Sequence, residues 1–208
     1  VAAILAPQQR HWEANVNIVD RAKNLILTPA AEWDKISAET HTVQGLYTGW
    51  IMILAAIPAI ATFIGFSIVG AGAFGFSYRV PVVAGVSNAI ASYVLSLGSI
   101  YVFALVIDAL SPTFGGEKNF AQAFKVAAFA PVASWLAGAF AILPALSILG
   151  LLGLYSLYLL YVGLPRLMKT PQEKALPYTV VVILVGIVLS VVIGTISALM
   201  LPGRPGGL

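Results

Sequence analysis

LYTGWIMILAAIPAIATFIGFSIV, residues 46–69, runs for twenty-four positions without a charged side chain. As a helix rising roughly 1.5 Å per residue it covers about 36 Å, more than the roughly 30 Å of hydrocarbon in a bilayer. Four more apolar runs follow, at Val82–Leu110, Phe120–Leu143, Ala145–Leu164 and Pro177–Leu201. Together they predict an all-α, polytopic membrane helix bundle of five transmembrane helices, since a helix satisfies its own backbone in lipid. Composition points the same way: the 208 residues are 60% hydrophobic and 9% charged, against about 25% charged in a typical soluble domain. Mean hydropathy is +0.95. Eight acids and eleven bases cannot cover a water-facing surface, which excludes a conventional soluble enzyme. A net charge of +3 gives no reason to expect a nucleic-acid partner.

Five crossings place the two ends on opposite sides of the membrane. Arg10, Arg21, Lys23, Lys35, Lys118, Lys125, Arg166, Lys169 and Lys174 fall on the side of the N-terminus, whereas Arg79 and Arg204 alone fall on the other. That asymmetry predicts a cytoplasmic N-terminus and an outer C-terminus. The opening VAAILAPQQR has too short an apolar patch and no preceding base for a signal peptide, so an internal span is expected to direct insertion. Spans three and four meet at Leu143-Pro144-Ala145, which predicts a tight outer hairpin, with a re-entrant pair as the alternative. The glycine-rich stretch Gly70–Arg79 reads as a loop, and GRPGGL as a short outer tail within 202–208.

Residues 1–44 form an N-terminal segment ahead of a membrane domain over 45–201, and 8–44 is the one sizeable polar stretch. Two short amphipathic helices are predicted there. Ile18, Ala22, Leu25 and Ile26 recur at helical spacing, with Asp20, Arg21, Lys23 and Asn24 assigned to the polar face. Thr28 and Pro29 restart a helix as N-cap and first residue, Glu32 lies in its first turn, and Trp33 and Ile36 would anchor it. The segment serves either as an anchor in the lipid headgroups or as a docking surface for a partner.

Chemistry-bearing constellations are sparse. The absence of cysteine excludes disulfides and thiolate metal sites, and both histidines, His11 and His41, fall outside the spans. No catalytic, cofactor or metal site is predicted. Asp108 is the one acid within a span; it suits an ion pair with Lys118 or Lys125 or a helix-end cap, with proton or cation binding and a partner contact as further readings. Asn88 is expected to hydrogen-bond across the bundle. Small residues recur along span two (Gly85, Ala89, Ser92, Ser96, Ser99), span three (Ala127, Pro131, Ser134, Gly138, Ala141) and span five (Gly186, Ser190, Gly194, Ala198). Such seams let helix backbones approach closely. Trp12, Trp33, Trp50, Tyr78, Tyr155, Tyr158, Tyr161 and Tyr178 suit interfacial aromatic belts, the three tyrosines of span four forming a ladder or lining a groove.

Three stretches carry a family resemblance: NLILTPAAEWDKISAE at Asn24–Glu39, NFAQAFKVAAFAPVASWLAG at Asn119–Gly138, and LYLLYVGLPRLMKTPQEKALPYTVVV at Leu157–Val182. They closely resemble the bacterial branch of the Yip family, five-span proteins whose eukaryotic relatives interact with Rab GTPases. The most specific features are Pro29 with Trp33, the Ala130-Pro131 pair, and the LPRLMKTP turn containing Arg166 and Lys169. The resemblance implies five spans, a cytoplasmic N-terminus and a bacterial inner membrane location. Rab binding is not carried over, because the Asp-Leu-Tyr-Gly-type motif of the eukaryotic members is missing. The expected function is a non-enzymatic adaptor, assembly or organising factor in the lipid bilayer, with a membrane-protein partner or homo-oligomer open and Pro29, Trp33, Arg166 and Lys169 as candidate contacts. The alternative is a small transporter or channel for an ion, small solute or lipid, using Asp108, Asn88, Ser92 and Ser96.

Overall fold

The computed structural model describes residues 17–73 and 76–199. His11, Trp12, Arg10 and the tail at 202–208 lie outside the described residues. Among the described residues five helical segments are long and apolar enough to cross a membrane: Val43–Val69, Val82–Phe114, Phe120–Ile142, Pro144–Met168 and Gln172–Ile196. Ahead of them come α1 (Ile18–Leu27) and α2 (Pro29–Ala38). The fifth span begins earlier than its apolar run because Gln172, Glu173 and Lys174 form a polar first turn, with Pro177 tolerated close to the helix start.

The third span is the axis of the bundle. More than half of its apolar stretch is buried, 56%, whereas the corresponding figure for the fifth is 11%. Its seam brings backbones together as expected. A Cβ on Gly138 would stand 2.6 Å from Pro58 Cβ of the first span, and one on Gly65 would stand 1.9 Å from the Ala141 carbonyl. Neither contact leaves room for a side chain. At Ala130-Pro131 the helix breaks between Phe120–Phe129 and Val132–Ala137, because proline lacks the N–H that would continue the ladder. The Trp50 indole donates to the Ala128 carbonyl at this break, and the Ser156 hydroxyl accepts from the Ser134 N–H just beyond it.

Spans three and four meet at Leu143, as the hairpin reading required, but both are wound as 3₁₀ helix there, over Gly138–Ile142 and Pro144–Leu154. The Gly70–Arg79 connection is more ordered than a loop: β1 (Ala71–Ala73) and β2 (Phe76–Tyr78) pair antiparallel, with Ala71 opposite Tyr78. A chain this rich in glycine gives little strand signal. Helices nevertheless dominate, and the molecule is an all-α bundle.

Several aromatics predicted for the membrane interface are instead interior links. Trp33 and Tyr178 are fully buried and Trp50 nearly so. Tyrosine hydroxyls donate to main-chain carbonyls of other elements: Tyr47 to Leu97, Tyr93 to Met52, Tyr155 to Ile26 and Tyr178 to Ile107. A helical carbonyl keeps a second lone pair for this purpose. Tyr158 and Tyr161 remain exposed, as a belt requires.

Candidate functional site: the helical cap and its charged core

The helices α1 and α2 dock on the bundle rather than lying apart from it. Ala22, Leu25, Trp33 and Ile36 join the hydrophobic core. Trp33 fits against the fourth span because Gly163 has no side chain: a Cβ there would stand 2.6 Å from the indole ring. Phe129 meets the same indole edge-on at 6.4 Å and also contacts the rings of Trp50 and His41.

Arg21 corrects its assignment to the polar face. It is buried between the two helices, donating to Glu32 Oε1 at 2.8 Å and to both carboxylate oxygens of Glu39 at 2.7 and 2.8 Å. Its guanidinium lies over the Phe129 ring, 5.9 Å from the centroid. Lys35 and His41 complete the cluster, on Glu32 at 3.2 Å and Glu39 at 2.8 Å. The arginine has no other way to be buried, since an unpaired charge in this setting would cost several kcal/mol, on the order of 3–5. Burial works to raise the Glu39 carboxyl, but the hydrogen bonds and charges of Arg21 and His41 outweigh it and hold the group below its ordinary value of 4.5.

Lys125 of the third span corrects a second expectation. Rather than pairing with Asp108, it points to the end of α2 and donates to the carbonyls of Ile36 and Glu39. Gln122 donates to the Ser37 carbonyl beside it. A cation at a helix C-terminus satisfies carbonyls that have no partner within the helix. Thr28 precedes α2 as expected, but its hydroxyl donates back to the Asn24 carbonyl and makes no capping bond. Pro29 holds the first position of α2. Arg166 contacts Asp34 at 3.2 Å, and Lys169 contacts Glu117 at 2.7 Å in an exposed pair.

The candidate residues of span two divide into two places. Asp108 is buried at the end near α2's face of the bundle; among the described residues it has no ion pair, and its Oδ1 has no hydrogen-bond partner. Lys118 makes no ion pair among the described residues either. Close by, Ser111 donates to the Glu117 carbonyl and Phe114 stacks on Tyr178 at 4.9 Å. Asn88, Ser92 and Ser96 instead line a cavity of about 430 Å³ between the first, second and fifth spans. The Asn88 side chain makes no bond across the bundle among the described residues. Ile100, Ala104 and Ile107, all buried, separate the two places along the helix. Among the described residues, no group of three His, Asp or Glu side chains is placed to hold a metal ion.

A family model described as the Yip1 domain matches residues 23–193. The chain belongs to the Yip family. The matched region runs from within α1 through four spans and into the fifth, so the Yip1 domain here includes α2, Trp33 and its glycine seat as well as the Pro131 break. Curated proteins and solved structures give no match. Sequence reasoning missed Arg21, Glu39 and Phe129 as the centre of the cap. Spacing held the signal for the first: Ile18, Arg21, Ala22 and Leu25 fall at i, i+3, i+4 and i+7, the buried stripe of a helix.

Proposed function

We propose that this Yip-family membrane protein is a non-enzymatic adaptor that presents a rigid cap to a membrane-protein partner. The observation supporting this reading is the charged core beneath the cap. Ionic docking of α1 and α2 stabilises less than a purely apolar seat of the same volume would, but it specifies one geometry. A fixed geometry is useful to a surface that is read by something else. Asp20, Lys23, Leu27, Asp34 and Lys35 remain exposed on the outside of the cap, and Lys118 and Lys169 are exposed as well. The basic residues on this face favour a cytoplasmic cap, and the resemblance to bacterial members favours the inner membrane.

Cross-linking mass spectrometry on protein purified from its native membranes tests the proposal. A stoichiometric partner linked through Lys23, Lys35, Lys118 or Lys169 is the expected result, with Leu27→Ser and Lys23→Glu losing it at unchanged thermal stability. A protein recovered alone, or only with itself, overturns it. Deleting the whole segment is a poor test, because Leu25, Trp33 and Ile36 are core residues. The orientation can be read separately: a chain without cysteine accepts single probes, and an impermeant maleimide on intact cells should miss Asp34→Cys and label Tyr78→Cys.

A second reading, passage of a small solute or lipid, is favoured by the cavity lined by Asn88 and Ser96. Its test is flux in liposomes containing the purified protein. No flux for ions or lipids, or flux that Asn88→Leu leaves unchanged, removes it.

A further inference from the structure

Hydroxyls within helices ordinarily satisfy themselves. In this chain Thr48, Ser92, Ser96, Ser99, Thr179, Ser190 and Thr195 all donate to a carbonyl three or four residues earlier on their own helix. Ser67 does not. It lies in the π-wound end of the first span, Ile64–Val69, and its hydroxyl packs against the second span, where a Cβ on Gly85 would stand 2.1 Å from it. Ser67 is 6% exposed, and its hydroxyl has no hydrogen-bond partner. It lines the cavity between the first, second and fifth spans, as do Thr62 and Asn88, neither of whose side chains makes a hydrogen bond among the described residues.

The cavity therefore has a gradient of unused polarity. Thr62 lies seven residues before the end of the first span and Asn88 six residues into the second, about 10 and 9 Å from those ends. Both are near the face that carries β1 and β2. Deeper in, the hydroxyls of Ser92, Ser96 and Tyr93 are occupied by the carbonyls of Asn88, Tyr93 and Met52, and the wall is otherwise apolar, with Ala55, Pro58 and Ala59. Along the first span the lining runs from Ala55 to Ser67, about 18 Å of helix. The volume of about 430 Å³ lies within the usual range of ligand sites.

We infer that this cavity is a binding site for one acyl chain of a membrane glycerolipid, with its ester end held by Thr62 and Asn88. The depth of the unpaired donors matches the ester level of a bilayer, and the apolar end matches the chain. A water-filled polar path would place its unused donors along the whole length. The site is independent of the cap and of any partner bound there.

The experiment uses the full chain in vesicles of phosphatidylethanolamine and phosphatidylglycerol, doped with a phospholipid carrying a diazirine at the end of one acyl chain. After irradiation, mass spectrometry should place the adducts on Ala55–Ala59 and near Tyr93, at least several-fold above the exposed face of the fifth span at Leu184, Ile187 and Val191. Ala89→Phe, which fills the cavity from its wall, should abolish that preference. Asn88→Leu keeps the volume, removes the polar contact, and should lower lining adducts several-fold at unchanged thermal stability; it decides the matter if the larger substitution does not fold. Adducts spread evenly over lipid-facing helices, or a yield unaffected by Asn88→Leu, overturn the inference.

Discussion

The third and fifth spans are both rich in small residues at helical spacing, yet 56% of the most apolar stretch of the third is buried and 11% of the fifth's. The less apolar of the two is the one inside. Lipid solvates Val and Ile as well as a protein core does, so apolarity alone drives nothing inward. The third span is held at the centre by features the fifth lacks: Lys125 on the end of α2, the Pro131 break that frees carbonyls for Trp50, and a hydroxyl pair between Ser134 and Ser156. In the fifth span a Cβ on Gly186 would stand 3.4 Å from the Phe103 ring, whereas one on Gly194 would meet nothing within 4 Å. A small-residue seam becomes a contact only where a polar link has already fixed the neighbour.

The strongest way to break that comparison is to remove a link beneath the third span. Arg21→Met leaves Glu32, 1% exposed, with its inner oxygen unpaired, and should cost about 3–5 kcal/mol in detergent unfolding. Arg21→Met combined with Glu32→Met should recover most of the loss. If the double variant is no better than the single one, the charges do more than compensate each other, and the role given to the ionic seat is wrong.

A smaller effect separates the two seams directly. Gly138→Ala drives a methyl against Pro58 and should cost about 1–3 kcal/mol, while Gly194→Ala should stay within about 0.5 kcal/mol. Equal effects would mean that the fifth span is packed as closely as the third.

Acid probes the rim of the same network. Because the folded-state value of Glu39 lies below 4.5, its contribution is complete above that pH and is lost as pH falls through the lower folded value. The melting temperature of the native protein should therefore approach that of Glu39→Gln on acidification and exceed it at pH 7. A constant gap between the two down to strong acid would contradict the assignment.

The number and order of the spans were legible because a long uncharged run has one stable solution in lipid, and so were α1 and α2, whose apolar residues fall at helical spacing. What stayed hidden depended on partners. Arg21 was assigned by residue type to the polar face, although its spacing placed it among Ile18, Ala22 and Leu25; only the opposite charge at Glu32, in the matching stripe Pro29, Glu32, Trp33, Ile36, makes that burial tolerable. Lys125 read as a marker of topology or a partner for Asp108, because the helix end it serves lies 86 residues away. The seam of span two read like that of span three, and at Gly85 it is closely packed, a Cβ there standing 2.1 Å from the Ser67 hydroxyl, but over Ala89, Ser92 and Ser96 it faces a cavity; spacing within one helix carries no information on how near the next one comes.

The smallest effect belongs to the connection leading into the fifth span. Lys169 has φ of 53°, the one non-glycine positive value among the described residues, and its ammonium lies 2.7 Å from Glu117. That distance equals the shorter Arg21 contact, but both partners are exposed, at 67% and 62%, so water and salt reduce the attraction to little. Lys169→Gly removes the left-handed strain and the ion pair, and it adds freedom to the unfolded chain. These terms oppose one another, and the net change should fall within about 0.5 kcal/mol. Lys169→Val keeps the strain, adds β-branching at a position that disfavours it, and should be clearly worse than glycine. If instead glycine and valine destabilise alike, the ammonium rather than the backbone governs this turn.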